Sequence, residues 1–201
     1  MRNAEATREK ILDAAMAEFS AHGVAGARVD RIAATAGCNK NLIYIYFENK
    51  ETLFATLLRR HLTRVYEELR FTPDDLPGYA VRLFDFSVAN PDLMRLMAWF
   101  SLEKTVDSPP ERQQAIDAKL SAIRQCQDDG AVSSAFPPAF LMTLVMNIAT
   151  GWSATSPFGP SIDPAAATDL PALRNSIAQA VTLLTAPPTN RSAGTPSRKK
   201  G

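Results

Sequence analysis

Asn39, Lys40, Asn41, Tyr44, Tyr46 and Lys50 crowd into a stretch of twelve residues, with Arg28 a short way upstream. Their chemistry is recognition and not turnover. An asparagine can bond bidentately to adenine, a lysine can reach O6 and N7 of guanine, and a tyrosine can donate to a phosphate while its ring packs on sugar. Lys50 stands where a helix is expected to begin, and the free N–H groups there already favour an anion. The chain offers no Ser/His/Asp set, no paired-carboxylate spacing, no Gly-rich phosphate loop and no metal-ligand cluster, and it has only 2 histidines. Neither an enzyme, a cofactor nor a metal site is expected.

Side chains of this kind are useful only if something rigid carries them. The stretch VDRIAATAGCNKNLIYIYFEN, residues 29–49, reads as two short helices and a tight turn. Ile32, Ala33 and Ala36 give the first helix its apolar face, and Gly37 follows where a left-handed backbone costs glycine least. Small, apolar Cys38 packs under the turn, and Asn39 can cap the next helix. In that second helix Leu42, Ile43 and Phe47 point inward, leaving Lys40, Asn41, Tyr44 and Tyr46 outward. Small Ala33 lets the two helices approach closely. Ala33, Gly37 and Ile43 stand at relative positions one, five and eleven, the helix-turn-helix pattern that lays a second helix in the DNA major groove. An ordinary helical hairpin would satisfy the same three positions.

The flanks carry more. ATREKILDAAMAEFSAHG, residues 6–23, forms an amphipathic helix ending at a glycine. Asn49 caps a long helix from Lys50 to about Arg70, with Glu51 in its first turn. Together with the L-I-Y-x-Y-F-x-x-K-E-x-L run, residues 42–53, these features resemble the TetR family of bacterial transcriptional regulators over Thr7 to Leu58. The resemblance implies an all-α chain of about nine helices. Residues 1–49 would be the DNA-binding domain and residues 50–186 a ligand-binding and dimerisation domain, with a disordered basic tail over 187–201. It also implies that Lys40, Asn41 and Tyr44 face DNA and that Lys50 meets a phosphate. Where family members usually carry Thr or Ser, this chain has Arg28, which is either a phosphate contact or a solvated arginine. Ile45 replaces a position that is often polar or aromatic, so a base contact there would be apolar.

Charge narrows how such a head can work. Residues 1–50 hold seven Lys/Arg against six Asp/Glu, residues 51–186 eleven against fifteen, and residues 187–201 four cations and no acid. The body repels DNA and the head is only locally basic, so binding needs well-placed cations presented twice by a homodimer. The function expected is a ligand-responsive regulator, a repressor in the commonest case, on a pseudo-palindromic double-stranded operator. A protein-interaction module without DNA would present a more apolar surface than Lys40, Asn41, Tyr44 and Lys50.

The body reads as a helical bundle. The segment FTPDDLPG breaks the long helix, and a new one runs from Tyr79 to Ala89. Asn90-Pro91-Asp92 opens a helix that is apolar almost all round. Helices near Phe140–Trp152 and Leu170–Leu184 carry more apolar surface than one small body can cover. In the TetR family the last two long helices pair with their symmetry mates, and here they are expected to form the homodimer. His61, Phe84, Met97, Trp99, Phe100, Phe140 and Asn147 are the candidates to line a site for a small apolar effector, although each taken singly reads better as core or, for His61 and Asn147, as a structural hydrogen bond. Cys38 and Cys126 form no motif. From such cysteine usage, no recognisable signal peptide and no convincing membrane span, a cytoplasmic protein is expected, with Cys126 either a plain cysteine or a thiol sensor.

Overall fold

The computed structural model describes residues 2–187, so the tail expected over 187–201 falls, from 188 on, outside the described residues. Those residues form ten α-helices and one 3-10 turn, with no strand among them. The head comprises α1 (Arg2–Gly26), α2 (Val29–Ala36) and α3 (Lys40–Phe47). α4 (Lys50–Glu68) leads into α5 (Leu76–Ala89), α6 (Pro91–Glu103), α7 (Pro110–Asp128), α8 (Pro138–Thr150), the four-residue α9 (Gly159–Ile162) and α10 (Leu170–Thr185). The tenth helix, beyond the nine expected, is the short α9.

Two starts and stops differ from the sequence expectation for identifiable reasons. α1 does not finish at Gly23. Gly23 takes φ 67° and leaves helical geometry, but a further turn follows to Gly26. α5 begins at Leu76 and not at Tyr79, because the Asp75 carboxylate accepts the Gly78 N–H at 2.8 Å and Pro77 is tolerated in a first turn.

Two apolar clusters hold the helices. The first gathers Ile11, Ala15 and Phe19 of α1, Ile32 and Ala33 of α2, Ile43 and Phe47 of α3, Leu53, Phe54, Leu57 and Leu58 of α4, and Leu93, Leu96 and Phe100 of α6. The Phe19 and Phe54 rings meet edge to face, centroids 5.2 Å apart. Burying each such ring or leucine contributes about 1.5–3 kcal/mol. The second cluster gathers Tyr79, Ala80, Leu83 and Phe84 of α5, Ile123 of α7, Leu141 and Val145 of α8, and Leu173, Ile177 and Val181 of α10. The head therefore shares its core with α4 and α6, while α5, α7, α8 and α10 make a core of their own. Val65 and Phe86 pack against both. Among the described residues, no helix is long and apolar enough to cross a membrane.

Candidate nucleic-acid interface

The turn between α2 and α3 closes as its residue types require. Gly37 takes the left-handed conformation, φ 65° and ψ 37°. The Gly37 and Cys38 N–H groups return to the carbonyls of Ala34 and Ala33 at 3.2 and 3.0 Å, which satisfies the end of α2. Asn39 Oδ1 accepts the Asn41 N–H at 2.9 Å and caps α3. Asn39 is thus occupied with its own helix, and what it offers DNA is the rest of its exposed amide.

Ile43 and Phe47 are buried on the inner face of α3, with the Arg8 guanidinium 5.3 Å from the Phe47 ring centroid beneath them. Outward stand exposed Asn41, Tyr44 at 42% exposure and Ile45 at 72%. An isoleucine so exposed beside a tyrosine and an asparagine is suited to a thymine methyl. Tyr46 departs from this face. It is half-buried, packs on the first cluster and meets the Phe47 ring edge-on, because a residue two beyond Tyr44 has turned some 200° round the helix.

Two of the candidate cations, Lys40 and Lys50, are engaged within the protein. Lys40 Nζ lies 2.8 Å from Asp30 of α2, and the hydrogen bond it donates to that carboxylate raises the lysine's pKa above its ordinary value. A phosphate or guanine approaching Lys40 would have to compete with Asp30 for it. Lys50 Nζ donates to the carbonyls of Ala25 and Ala27 at 3.4 and 3.2 Å. It ties the start of α4 to the end of α1, and reaching a phosphate would require it to share or leave those carbonyls. Arg28 is exposed and gives α2 no side-chain cap.

The structure adds three supporting residues that sequence reasoning missed: Glu18, Asp30 and Arg31. Glu18 accepts the Arg28 N–H at 2.8 Å and the Arg31 side chain at 2.6–3.0 Å. The Glu18 carboxylate thus anchors the start of α2 to α1 through the amide of the N-cap residue itself, a different N–H from the one a capping hydroxyl would take. Burial pushes the Glu18 carboxyl up, but the hydrogen bonds from Arg31 and the Arg28 amide, with the nearby charges of Arg31 and His22, outweigh it and hold the pKa low. The legible signal was only an acid and a base thirteen residues apart, which no helical period connects.

The seven effector candidates are not brought to one cavity. Met97 and Phe100 belong to the first cluster and Phe84 to the second. Trp99 packs at the Gly23 break, with Nε1 donating to Ser20 O at 3.2 Å. His61 is half-buried on α4. Phe140 is 52% exposed, its ring 5.5 Å from that of Phe136. Asn147, also exposed, donates to the Thr143 carbonyl of its own helix at 2.9 Å. Asn147 alone of the seven lines an open cleft of about 500 Å³ between the end of α8 and α9, alongside Trp152, Phe158 and Ile162.

Residues 11–57 match the family model of bacterial regulatory proteins, tetR family, and residues 75–182 that of the tetracyclin repressor-like, C-terminal domain. The HTH-type transcriptional repressor SCO4008 of Streptomyces coelicolor is 40% identical over 159 residues, 78% of this chain and 82% of that protein. The solved structure of SCO4942, also from Streptomyces coelicolor, aligns at a TM-score of 0.77 with 37% identity, covering 90% of this chain and 99% of that one. SmeT, solved as a complex with triclosan, shares the fold at a TM-score of 0.62 and 24% identity, over 98% of this chain and 99% of its own.

Proposed function

This chain belongs to the TetR family of bacterial transcriptional regulators, and from that premise we propose that it is a ligand-responsive repressor that binds a pseudo-palindromic operator as a homodimer. The observation that carries the reading is α3. It exposes Asn41, Tyr44 and Ile45 and holds Lys40 by a single carboxylate, while Ile43 and Phe47 anchor its back. The kinship with a repressor such as SCO4008 supports repression over activation.

Dimerisation runs through α8 and α10. α8 contains no charged residue, and the one charge in α10, Arg174, is paired with Asp85 of α5 at 2.7 Å. The outer faces that remain, with Ala139, Phe140, Thr143 and Met146 on α8 and Gln179, Thr182 and Leu183 on α10, are exposed and uncharged. Two copies joined there present two α3 helices to successive major grooves, about 34–36 Å apart or somewhat more.

The effector is a small apolar molecule acting at the seam between the clusters. Only a ligand that binds the operator-competent and released states unequally can switch the protein. A molecule wedged beside Val65 and Phe86, which pack against both cores, does this by moving one core relative to the other. Phe140 and Asn147, on the exposed face of α8, suit the partner subunit better than an effector.

Lys40→Ala and Tyr44→Ala test the DNA assignment. Each lost base or phosphate contact is expected to cost about 1–3 kcal/mol, and Lys40→Ala is also expected to lower the salt slope of binding by about one. Binding to operator fragments selected from the source genome, read beside sedimentation of the dimer, checks both. Normal operator affinity in both variants removes the assignment.

A further inference from the structure

In an unbroken α-helix the Val24 N–H would donate to the Ser20 carbonyl four residues back. Gly23, at φ 67° and ψ −176°, takes the chain out of register and parts that pair. Both orphaned groups are then taken by one helix of the body. Trp99 Nε1 of α6 donates to Ser20 O at 3.2 Å, and Glu103 Oε2 of α6 accepts the Val24 N–H at 2.8 Å. The Ala25 N–H reaches both Glu103 oxygens at 3.3 Å. Trp99 and Glu103 are one helical turn apart, so a single face of α6 replaces both halves of the bond that α1 has lost.

Three further observations fit a purpose beyond filling space. Gly23 is required by its backbone and by its neighbours: a Cβ there would collide with Glu103 Oε1 and stand 2.8 Å from Trp99 Cε3. Glu103 is the last residue of α6, where the helix dipole disfavours an acid. Its place is explained by α1, whose break creates a fresh helix start with free N–H groups. Finally, the turn beyond the break leads straight into α2. It is also held by Lys50 of α4, which donates to the Ala25 and Ala27 carbonyls, so the segment that carries α2 and α3 hangs from α6 and α4 together.

We propose that Trp99 and Glu103 are positioning residues for operator binding: by splicing α6 into the break of α1 they set the angle of the reading head on the body, and through them a shift of α6 reaches α2 and α3. The proposal rests on the reading of the protein as a dimeric operator binder. The splice makes the coupling directional, since Ser20 lies before the break and Val24 after it, and α6 holds both.

The test uses the full chain carrying Glu103→Ala, Glu103→Gln or Trp99→Phe, the last keeping a ring over Gly23 without the N–H. Two DNAs are compared, one with both half-sites and one with a single half-site. In the same variants, spin labels at Ala34→Cys, in a Cys38→Ser, Cys126→Ser background, report the distance between the two heads of the dimer. Glu103→Ala and Trp99→Phe should each weaken two-half-site binding about tenfold, and Glu103→Gln by less because its amide oxygen still accepts. Single-half-site affinity should change less than about twofold, since α3 itself is untouched. The head-to-head distance distribution should broaden. Equal losses on both DNAs, or an unchanged distribution, overturn the splice. Should the unsubstituted chain bind operator no better than scrambled DNA, the DNA reading fails instead, and the label distances still decide whether the splice sets the head angle.

Discussion

His61 lies on α4 beside Leu62, the last buried residue that this helix gives to the core shared with the head. Burial, and then the neighbouring charges of Arg60 and Arg64, push its imidazole pKa below the ordinary 6.5, with Asp13 opposing weakly. The folded protein therefore favours neutral His61, whereas the unfolded chain takes up a proton near 6.5. Below that pH the unfolded state binds more protons, so stability rises with pH through the window. The contribution is fully present above about pH 6.5 and is lost as pH falls through the depressed folded value. Urea midpoints measured between about pH 7 and pH 5 should fall more steeply for the wild type than for His61→Gln; equal slopes would assign the pH dependence elsewhere. Cys126 is governed by similar forces with the opposite sign. Burial, then Asp74 and Asp129, push its thiol up, leaving little thiolate for the sensor role that the sequence left open.

The helices of the head are short, so their ends matter more than their middles. α3 has eight residues, too few to persist alone. It depends on Asn39 at one end and on the junction with α4 at the other. There Glu48 takes φ 63° and ψ −53°, and the Asn49 N–H returns to the Phe47 carbonyl at 2.6 Å, a tight and strained γ-turn. Asn49 Oδ1 then accepts the Thr52 N–H at 2.7 Å and starts α4. Asn49→Ala should cost about 1 kcal/mol in urea denaturation, and Asn49→Ser or Asn49→Asp should recover most of it. An Asn49→Ala variant as stable as the wild type would mean that the turn and not the cap starts α4. Elements of this kind were legible in advance, because Gly37, Asn39 and Asn49 act on groups within three residues of themselves. The start of α5 was hidden by the Asp-Leu-Pro-Gly signal of a turn, which here is the first turn of a helix capped by Asp75. The extra turn of α1 was hidden because glycine normally ends a helix, and what continues it beyond Gly23 is a carboxylate on α6.

For the chain as a whole, α8 and α10 are left with uncharged outer faces, which we propose receive a second copy. Hydrophobic residues as exposed as Leu183 at 74% and Phe140 at 52% cost little singly. On α8 and α10 they share uncharged faces, which marks an interaction surface. Leu183→Glu and Phe140→Glu should each shift sedimentation towards monomer. Each should weaken two-half-site binding by tenfold or more, since about 2–4 kcal/mol is typical for a well-buried interface residue. Variants that stay dimeric at micromolar concentration would move the interface to another face.

Local residue types and spacings predicted two helices about a glycine turn, the outward set Lys40, Asn41 and Tyr44, and a helical body, because caps, glycine turns and helical periodicity act over a few residues. The family resemblance carried by the flanks made that pair a helix-turn-helix. Tertiary structure alone decided which cations are spoken for. Asp30 holds Lys40, the Ala25 and Ala27 carbonyls hold Lys50, and Glu18 holds Arg31 and the Arg28 amide at the start of α2. It likewise scattered the seven effector candidates between two cores, the α1 break and an outer face. The Val24–Glu103 and Ser20–Trp99 bonds each span 79 residues. Pairings at that range depend on how whole helices dock, and docking is set by the summed fit of buried faces and not by any motif along the chain.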